Sequence, residues 1–174
     1  MEHTRTWLSS LGFPKHIVEA VDDLTVQGRT TIPGGDNLLA LVRKIDHPSV
    51  VIVTGTNDVK KDAFCAGLCV QLFNKDKGKI PAYIDTPGYS WSDFANITGH
   101  IVYLAFADDL NPAQVNNVKN LIRQITLLGN TVIMGVNSMD SVIRTYGEDF
   151  VVSMADRIKV IELGRSERIE LKYL

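Results

Sequence analysis

Short runs of apolar, often β-branched residues alternate along the chain with longer segments whose apolar residues recur every three or four positions. A strand buried on both faces needs successive apolar side chains, whereas a surface helix needs them along one side only. The runs therefore predict strands at residues 49–54, 80–85, 101–107 and 131–136. The periodic segments predict a helical pair at 6–28 broken near residues 12–14, and helices at 36–47, 62–73, 92–97 and 112–128.

Several helix ends carry local signals. Pro14 is suited to a helix start, and Asp36 and Asn111 are predicted N-caps. Pro112 follows in the first turn of the long helix, and Gly129 stands just past its end. These signals set both ends of the long helix from local sequence alone.

Residues 157–163 and 168–173 alternate between apolar and polar positions around Gly164, which predicts an antiparallel hairpin. Strands that alternate with helices predict a mostly parallel α/β sheet with helices on both faces and this C-terminal hairpin at one edge. We expect residues 1–45 to form a helical extension packed on a core of residues 46–174, within a single domain overall.

Composition narrows the class of protein. With 174 residues, of which 45% are hydrophobic and 22% charged, the chain has enough apolar material for one globular core. Its 18 basic and 20 acidic residues give a net charge of −2, so no global attraction to nucleic acid is expected. No apolar run approaches the roughly 18 residues that span a membrane, and no signal-peptide pattern is present. Cys65 and Cys69 are expected to be buried thiols in a reducing compartment, and the histidines are too scattered to predict a metal site.

Residues 50–62, V-V-I-V-T-G-T-N-D-V-K-K-D, have the strand, glycine turn and helix of the phosphate-binding signature G-x-x-x-x-G-K-[ST]. Gly55 and Lys61 fit this signature. Lys60 replaces the second glycine and adds a Cβ where the backbone must approach phosphate closely. Asp62 replaces the Ser or Thr and brings a carboxylate that would repel a nucleotide or ligate a metal. We predict an inherited turn that no longer binds nucleotide; the alternative is a loop that still binds ATP.

Two further polar residues end neighbouring strands. Asp108 follows the apolar run 101–107, at the position that holds magnesium in nucleotide-binding sheets of this kind, with Asp109 beside it. Asn137 ends the next strand, where it could sense a γ-phosphate or simply cap a turn. We group Asp108 and Asn137 with the four loop positions as a vestigial nucleotide-binding set: Gly55, Lys60, Lys61, Asp62, Asp108 and Asn137.

Residues 81–88, P-A-Y-I-D-T-P-G, resemble the Y-I-D-T-E-G stretch of the RecA and RadA recombinases, especially their eukaryotic relatives. Residues 116–137 are similar to the helix and strand before the second DNA-binding loop of that family. Residues 153–169 resemble its closing hairpin. The resemblance runs through most of the chain in the right order and implies a RecA-like P-loop core.

The sequence departs from that family at its functional positions. The glutamate that activates water in the family falls on Pro87, whose side chain cannot act as a base, so no catalytic residue is expected. The segments matching the two DNA-binding loops, residues 109–114 and 138–148, are short, and the second has one basic residue, Arg144. The F-x-x-A polymerisation motif is absent.

Taken together, the resemblance and these losses imply a non-catalytic recombinase paralog, an accessory factor of homologous recombination. The resemblance implies that it pairs with another paralog and binds or remodels a recombinase filament on single-stranded DNA. It also implies a nuclear location, no required cofactor, no membrane partner, and contact with single-stranded DNA only within the complex.

Two alternatives remain open. The first is a small RecA-like ATPase with an atypical phosphate loop, in which Lys61 would bind phosphate and Asp62 and Asp108 would hold magnesium. The second is a direct DNA-binding protein, since lysines of one turn could contact phosphates, although aspartate interrupts that turn and it could equally be a solvated surface. The candidate DNA contacts are Lys75, Lys77, Lys79 and Arg144.

Overall fold

The computed structural model describes residues 2–22, 26–27, 38–89 and 99–163, and the backbone of residues 169–173. Its strands are β1 (Val50–Thr54), β2 (Pro81–Asp85), β3 (Ile101–Ala105), β4 (Thr131–Val136), β5 (Ile158–Leu163) and β6 (Ile169–Tyr173). They form one sheet in the order β2-β3-β4-β1-β5-β6. The strands from β2 to β5 in this order are parallel, and β6 is antiparallel to β5. The prediction of a mostly parallel sheet with a C-terminal hairpin is confirmed.

The described helices are α1 (Glu2–Ser10), α2 (Lys15–Ala20), α3 (Leu38–Arg43), α4 (Asp58–Lys75), α5 (Pro112–Leu127), α6 (Met139–Tyr146) and α7 (Glu148–Ser153). Helices α1 to α4 cover one face of the sheet, and α5 to α7 cover the other. Helices on both faces were predicted, and this is confirmed. The predicted cap at Asp36, the predicted helix at 92–97 and the turn at Gly164 lie outside the described residues.

The continuous apolar strands follow from this layering. In β1, Val51 and Val53 pack against the α1–α4 face, while Val50 and Ile52 pack against the α5–α7 face. A strand covered on both sides has no position where a polar side chain can reach water, so alternation disappears.

The N-terminal helices pack on α4. The ring of Trp7 lies 4.6 Å from that of Phe73, measured between centroids. The Arg5 guanidinium donates to the carbonyl oxygens of Glu19 and Val21, which ties α1 to the end of α2. The division of the chain at residue 45 into an extension and a core remains a prediction.

The start of α5 follows its local sequence. The Asn111 side chain accepts from the Gln114 amide at 2.9 Å, and the Gln114 side chain accepts from the Asn111 amide at 3.0 Å. Pro112 occupies the first turn, and Gly129 follows the helix with φ +80°. The predicted boundaries of this helix are therefore confirmed.

Candidate functional site

Helix α4 begins at Asp58, whereas the sequence predicted a start at residue 62. Only Gly55, Thr56 and Asn57 connect it to β1. The Asn57 side chain accepts a hydrogen bond from the Lys60 amide at 3.0 Å, which is N-cap geometry. Lys60 is thus in the first turn of a regular helix rather than in a strained glycine position. The expected site is a short capped turn instead of an extended loop.

Lys61 points back along this turn. Its Nζ lies 2.9 Å from the Gly55 carbonyl oxygen and 3.1 Å from that of Val136. The same atom lies 3.3 Å from a carboxylate oxygen of Asp58. An ammonium group has three N–H donors, and three acceptors surround this one. The side chain is only 3% exposed. The chain itself therefore supplies a countercharge and an acceptor for each of the three N–H groups.

Asp62 is buried and contacts the sheet. Its carboxylate accepts from the hydroxyl of Tyr103, which stands on β3. Gly135 on β4 makes room for that hydroxyl, since a Cβ there would lie 2.9 Å from the Tyr103 oxygen. Burial raises the pKa of Asp62, and the Tyr103 hydrogen bond and the charge of Lys61 only partly oppose this effect. The residue in the metal-binding position of the signature therefore braces α4 against β3.

Asp108 connects β3 to the start of α6. One carboxylate oxygen accepts from the Asn137 amide at 2.8 Å and from the Ser141 hydroxyl at 2.6 Å. Ser138 caps α6 by accepting from the Ser141 amide. The segment 138–148, which the sequence matched to a DNA-binding loop, is therefore mostly helix.

Four of the six predicted residues meet at the carboxyl end of β4. Lys61 donates to the Val136 carbonyl, and Asp108 accepts from the Asn137 amide. These two groups belong to one peptide unit, so the two charges flank it within about 8 Å. Gly55 joins them because its amide also donates to the Val136 carbonyl.

Lys60 and Asp62 are the two predicted residues that do not join this group. Lys60 is exposed on α4, and Asp62 is buried against β3. Sequence reasoning missed Asn57, although an Asn-Asp pair before a helix is an N-terminal signal. It also missed Tyr103, whose hydroxyl in an otherwise apolar strand was the available clue.

Two of the candidate DNA-binding lysines have partners within the chain. The Lys75 ammonium donates to the carbonyl oxygens of Val42, in the last turn of α3, and Ile45, just after that helix. The Lys79 ammonium donates to the Gly129 carbonyl and the Asn130 side chain, beyond the end of α5. Lys77 is exposed. DNA contact by these residues remains a prediction, and the geometry gives Lys75 and Lys79 a structural role.

Cys65 and Cys69 are free and buried, as expected. Burial raises the pKa of both thiols. Within the described ranges, no group of three or more His, Cys, Asp or Glu residues could hold a metal ion. None of the helices in those ranges is both long and apolar enough to cross a bilayer.

No family model and no curated protein matches the sequence. Among solved structures, a DNA replication initiation factor superposes with a TM-score of 0.50 and 12% identity, over 74% of this chain and 44% of the other. The replication initiator DnaA bound to AMPPCP and single-stranded DNA gives 0.50 and 12%, over 71% and 43%. The ATPase DotB of Legionella pneumophila gives 0.49 and 12%, over 94% and 49%. The chain spans less than half the length of each.

The sheet order and the first two of these likenesses show the fold. The chain has the fold of the P-loop ATPases, with a RecA-like core. Identities of 12% extend this statement to the fold and not to activity.

Proposed function

We propose that this chain is a non-catalytic protein of the P-loop ATPase fold that acts by binding other proteins. The observation that carries the proposal is the state of Lys61. Its side chain is 3% exposed, and its ammonium already contacts two carbonyl oxygens and the Asp58 carboxylate. A phosphate would have to displace these partners, and hydrogen bonds to a charged group contribute about 1.5–3 kcal/mol each.

The backbone supports the same conclusion. A phosphate-binding loop works by pointing several free amide groups at the ligand. In this chain the Gly55 amide donates to Val136, the Lys60 amide to the Asn57 side chain, and the Lys61 amide to the Asn57 carbonyl. Three amides that a nucleotide would need are thus already used by the strand and the helix cap.

The kind of partner comes from the resemblance to recombinases. We infer that the chain pairs with a second recombinase paralog, as an accessory factor of homologous recombination in the nucleus. The pair would bind or remodel a recombinase filament, with single-stranded DNA contacted only within that complex. Residues 81–88, which form β2 and the turn after it, support this inference because they are similar to the Y-I-D-T-E-G stretch of that family.

One observation favours the ATPase as a second candidate. Lys61 and Asp108 flank the Val136–Asn137 peptide at the carboxyl end of the sheet, where ligands of parallel α/β folds bind. If the first turn of α4 unwound, a cation for phosphate and a carboxylate for magnesium would already be close together.

Calorimetric titration with ATP and magnesium separates the two candidates. We expect no binding heat from the wild type or from Lys61→Ala. Lys60→Ala, an exposed neighbour in the same turn, is the matched control for changes in stability. Micromolar binding by the wild type and by Lys60→Ala, lost in Lys61→Ala, would replace the proposal with the ATPase.

A partner experiment tests the interaction role. Co-expression with a recombinase paralog should raise the melting temperature and the soluble yield, since a ligand that binds only the folded state stabilises it. Unchanged melting with every paralog and recombinase tested, at concentrations that detect micromolar affinity, would contradict the inferred partner class.

A further inference from the structure

A groove of about 620 Å³ opens between the beginning of α5 and one side of α6. We propose that it binds an extended segment of a partner protein that carries an acidic side chain next to an aliphatic one. The volume lies in the range of clefts that enclose small ligands, about 300–1,000 Å³. This inference rests on the proposed interaction role, because it names a surface through which that role is performed.

The acidic side chain is inferred from Arg144, which lies on α6 and lines the groove. Its Nε donates to the Asp140 carbonyl at 3.4 Å, and none of the described carboxylates forms an ion pair with it. The amino ends of α5 and α6 both reach the groove, and helix amino ends favour negative charge. One oxygen of the Asp108 carboxylate, also in the lining, already accepts hydrogen bonds from the Asn137 amide and the Ser141 hydroxyl.

The aliphatic side chain is inferred from the opposite wall. Leu110, Pro112 and Val115 form it, and none of the described residues that line the groove is aromatic. Single-stranded nucleic acid is bound by stacked aromatic rings and several cations, whereas the described part of the lining offers one arginine and no ring. An aliphatic side chain of a peptide fits such a wall better than a base does.

Peptide backbone is inferred from two amide side chains. Asn116 on α5 and Asn137 after β4 are exposed and line the groove. Each side-chain amide offers two donors and one acceptor oxygen. An extended peptide presents matching carbonyl and amide groups, so these residues could hold its main chain while Arg144 binds the acid.

The test is a titration of the ¹⁵N-labelled full chain, followed by NMR, with the blocked peptide acetyl-Ser-Leu-Asp-Ser-amide. Two matched peptides replace Asp by Asn or Leu by Ala. We expect shifts at the side-chain amides of Asn116 and Asn137 and at the backbone amides of α6. Affinity should be about fivefold weaker for the Asn peptide, as for an exposed charge pair. Arg144→Gln should remove this difference, while Arg43→Gln, an exposed arginine on the other face of the sheet, should preserve it.

Three outcomes would overturn the proposal. The Asp and Asn peptides could bind equally, the shifts could map outside the groove, or oligo-dT could shift the groove amides while none of the peptides does. If the peptide test fails and the wild type does not bind ATP, the groove proposal is wrong and the proposed function still holds. If the wild type binds ATP, the proposed function itself is wrong.

Discussion

Helices α4 and α5 both start at the carboxyl ends of strands in the same sheet, yet the sequence predicts the start of only one of them correctly. Helix α5 begins where its capping residues predict, with Asn111 and Gln114 bonded reciprocally. Helix α4 begins four residues before the place that the phosphate-loop spacing predicts. The difference lies in what each prediction used: the first used a capping pattern, and the second a loop shape that exists to hold a ligand.

The residues before position 62 could form either a phosphate-binding loop or the first turn of α4. Without a glycine at position 60, wrapping the backbone around a phosphate is strained, whereas helix is favourable for Lys60 and Lys61 once Asn57 caps it. Asp62 then falls on the buried side, where Tyr103 supplies its hydrogen bond. A degenerate signature therefore changes the backbone as well as the side-chain chemistry.

The largest expected effect comes from Gly135→Ala, which disrupts the contact between Asp62 of α4 and Tyr103 of β3. The new Cβ would lie 2.9 Å from the oxygen of Tyr103, which is fully buried and bonded to Asp62, so the ring would have to shift. We expect a loss of about 3 kcal/mol in the free energy of unfolding, measured in urea. Gly78→Ala, in an exposed turn, is the control and should change it by less than about 1 kcal/mol. Equal losses for the two variants would mean that the contact between Asp62 and Tyr103 does not contribute to stability.

Tyr103→Phe should cost about 2 kcal/mol at pH 7, because it leaves the Asp62 carboxylate buried without its donor. Burial holds the folded pKa of Asp62 above the ordinary 3.8. The stability that this residue contributes is therefore full below pH 3.8 and is lost as pH rises through the folded pKa. The cost of Tyr103→Phe should shrink in acid, and the double variant with Asp62→Asn should recover part of it. A pH-independent cost would show that Asp62 is not the cause.

Asn57→Ala and Asn111→Ala compare the two helix starts directly. Each removes an N-cap acceptor, and each should cost about 1 kcal/mol in chemical denaturation. Equal costs would mean that an ordinary local cap sets the start of α4. A negligible cost at Asn57 alone would show that the Lys61 and Asp62 contacts set it instead.

The smallest expected effect on stability comes from His47, at the amino-terminal end of the parallel strands. A ring nitrogen of His47 lies 2.6 Å from the Thr131 hydroxyl, and burial, aided by Lys79, lowers the pKa of His47. The unfolded chain then binds the proton more tightly, so stability should fall as pH drops below about 6.5 and level off below the folded pKa. His47→Asn should flatten this slope, and the exposed His3→Asn should not, as followed by melting temperature between pH 5 and 8.

Much of the fold could be predicted from the sequence. The apolar runs predicted β1 to β4, the alternating segments predicted the hairpin of β5 and β6, and the alternation of strands with helices predicted the parallel sheet. The site could be predicted only as a list of positions. Gly55, Lys61, Asp108 and Asn137 do meet, but which atoms they bind had no local signal.

The fold was easier to predict than the site because the two depend on interactions at different separations along the chain. Caps, turns and helical periodicity depend on residues within about four positions, so Asn111 and Pro112 specify their helix by themselves. The contacts of the candidate site join residues far apart: 41 positions separate Asp62 from Tyr103, and 75 separate Lys61 from Val136. Their geometry exists only when β1, β3 and β4 are side by side. The sequence by itself determined a P-loop-type sheet, and the tertiary structure decided that its lysine binds the protein's own backbone.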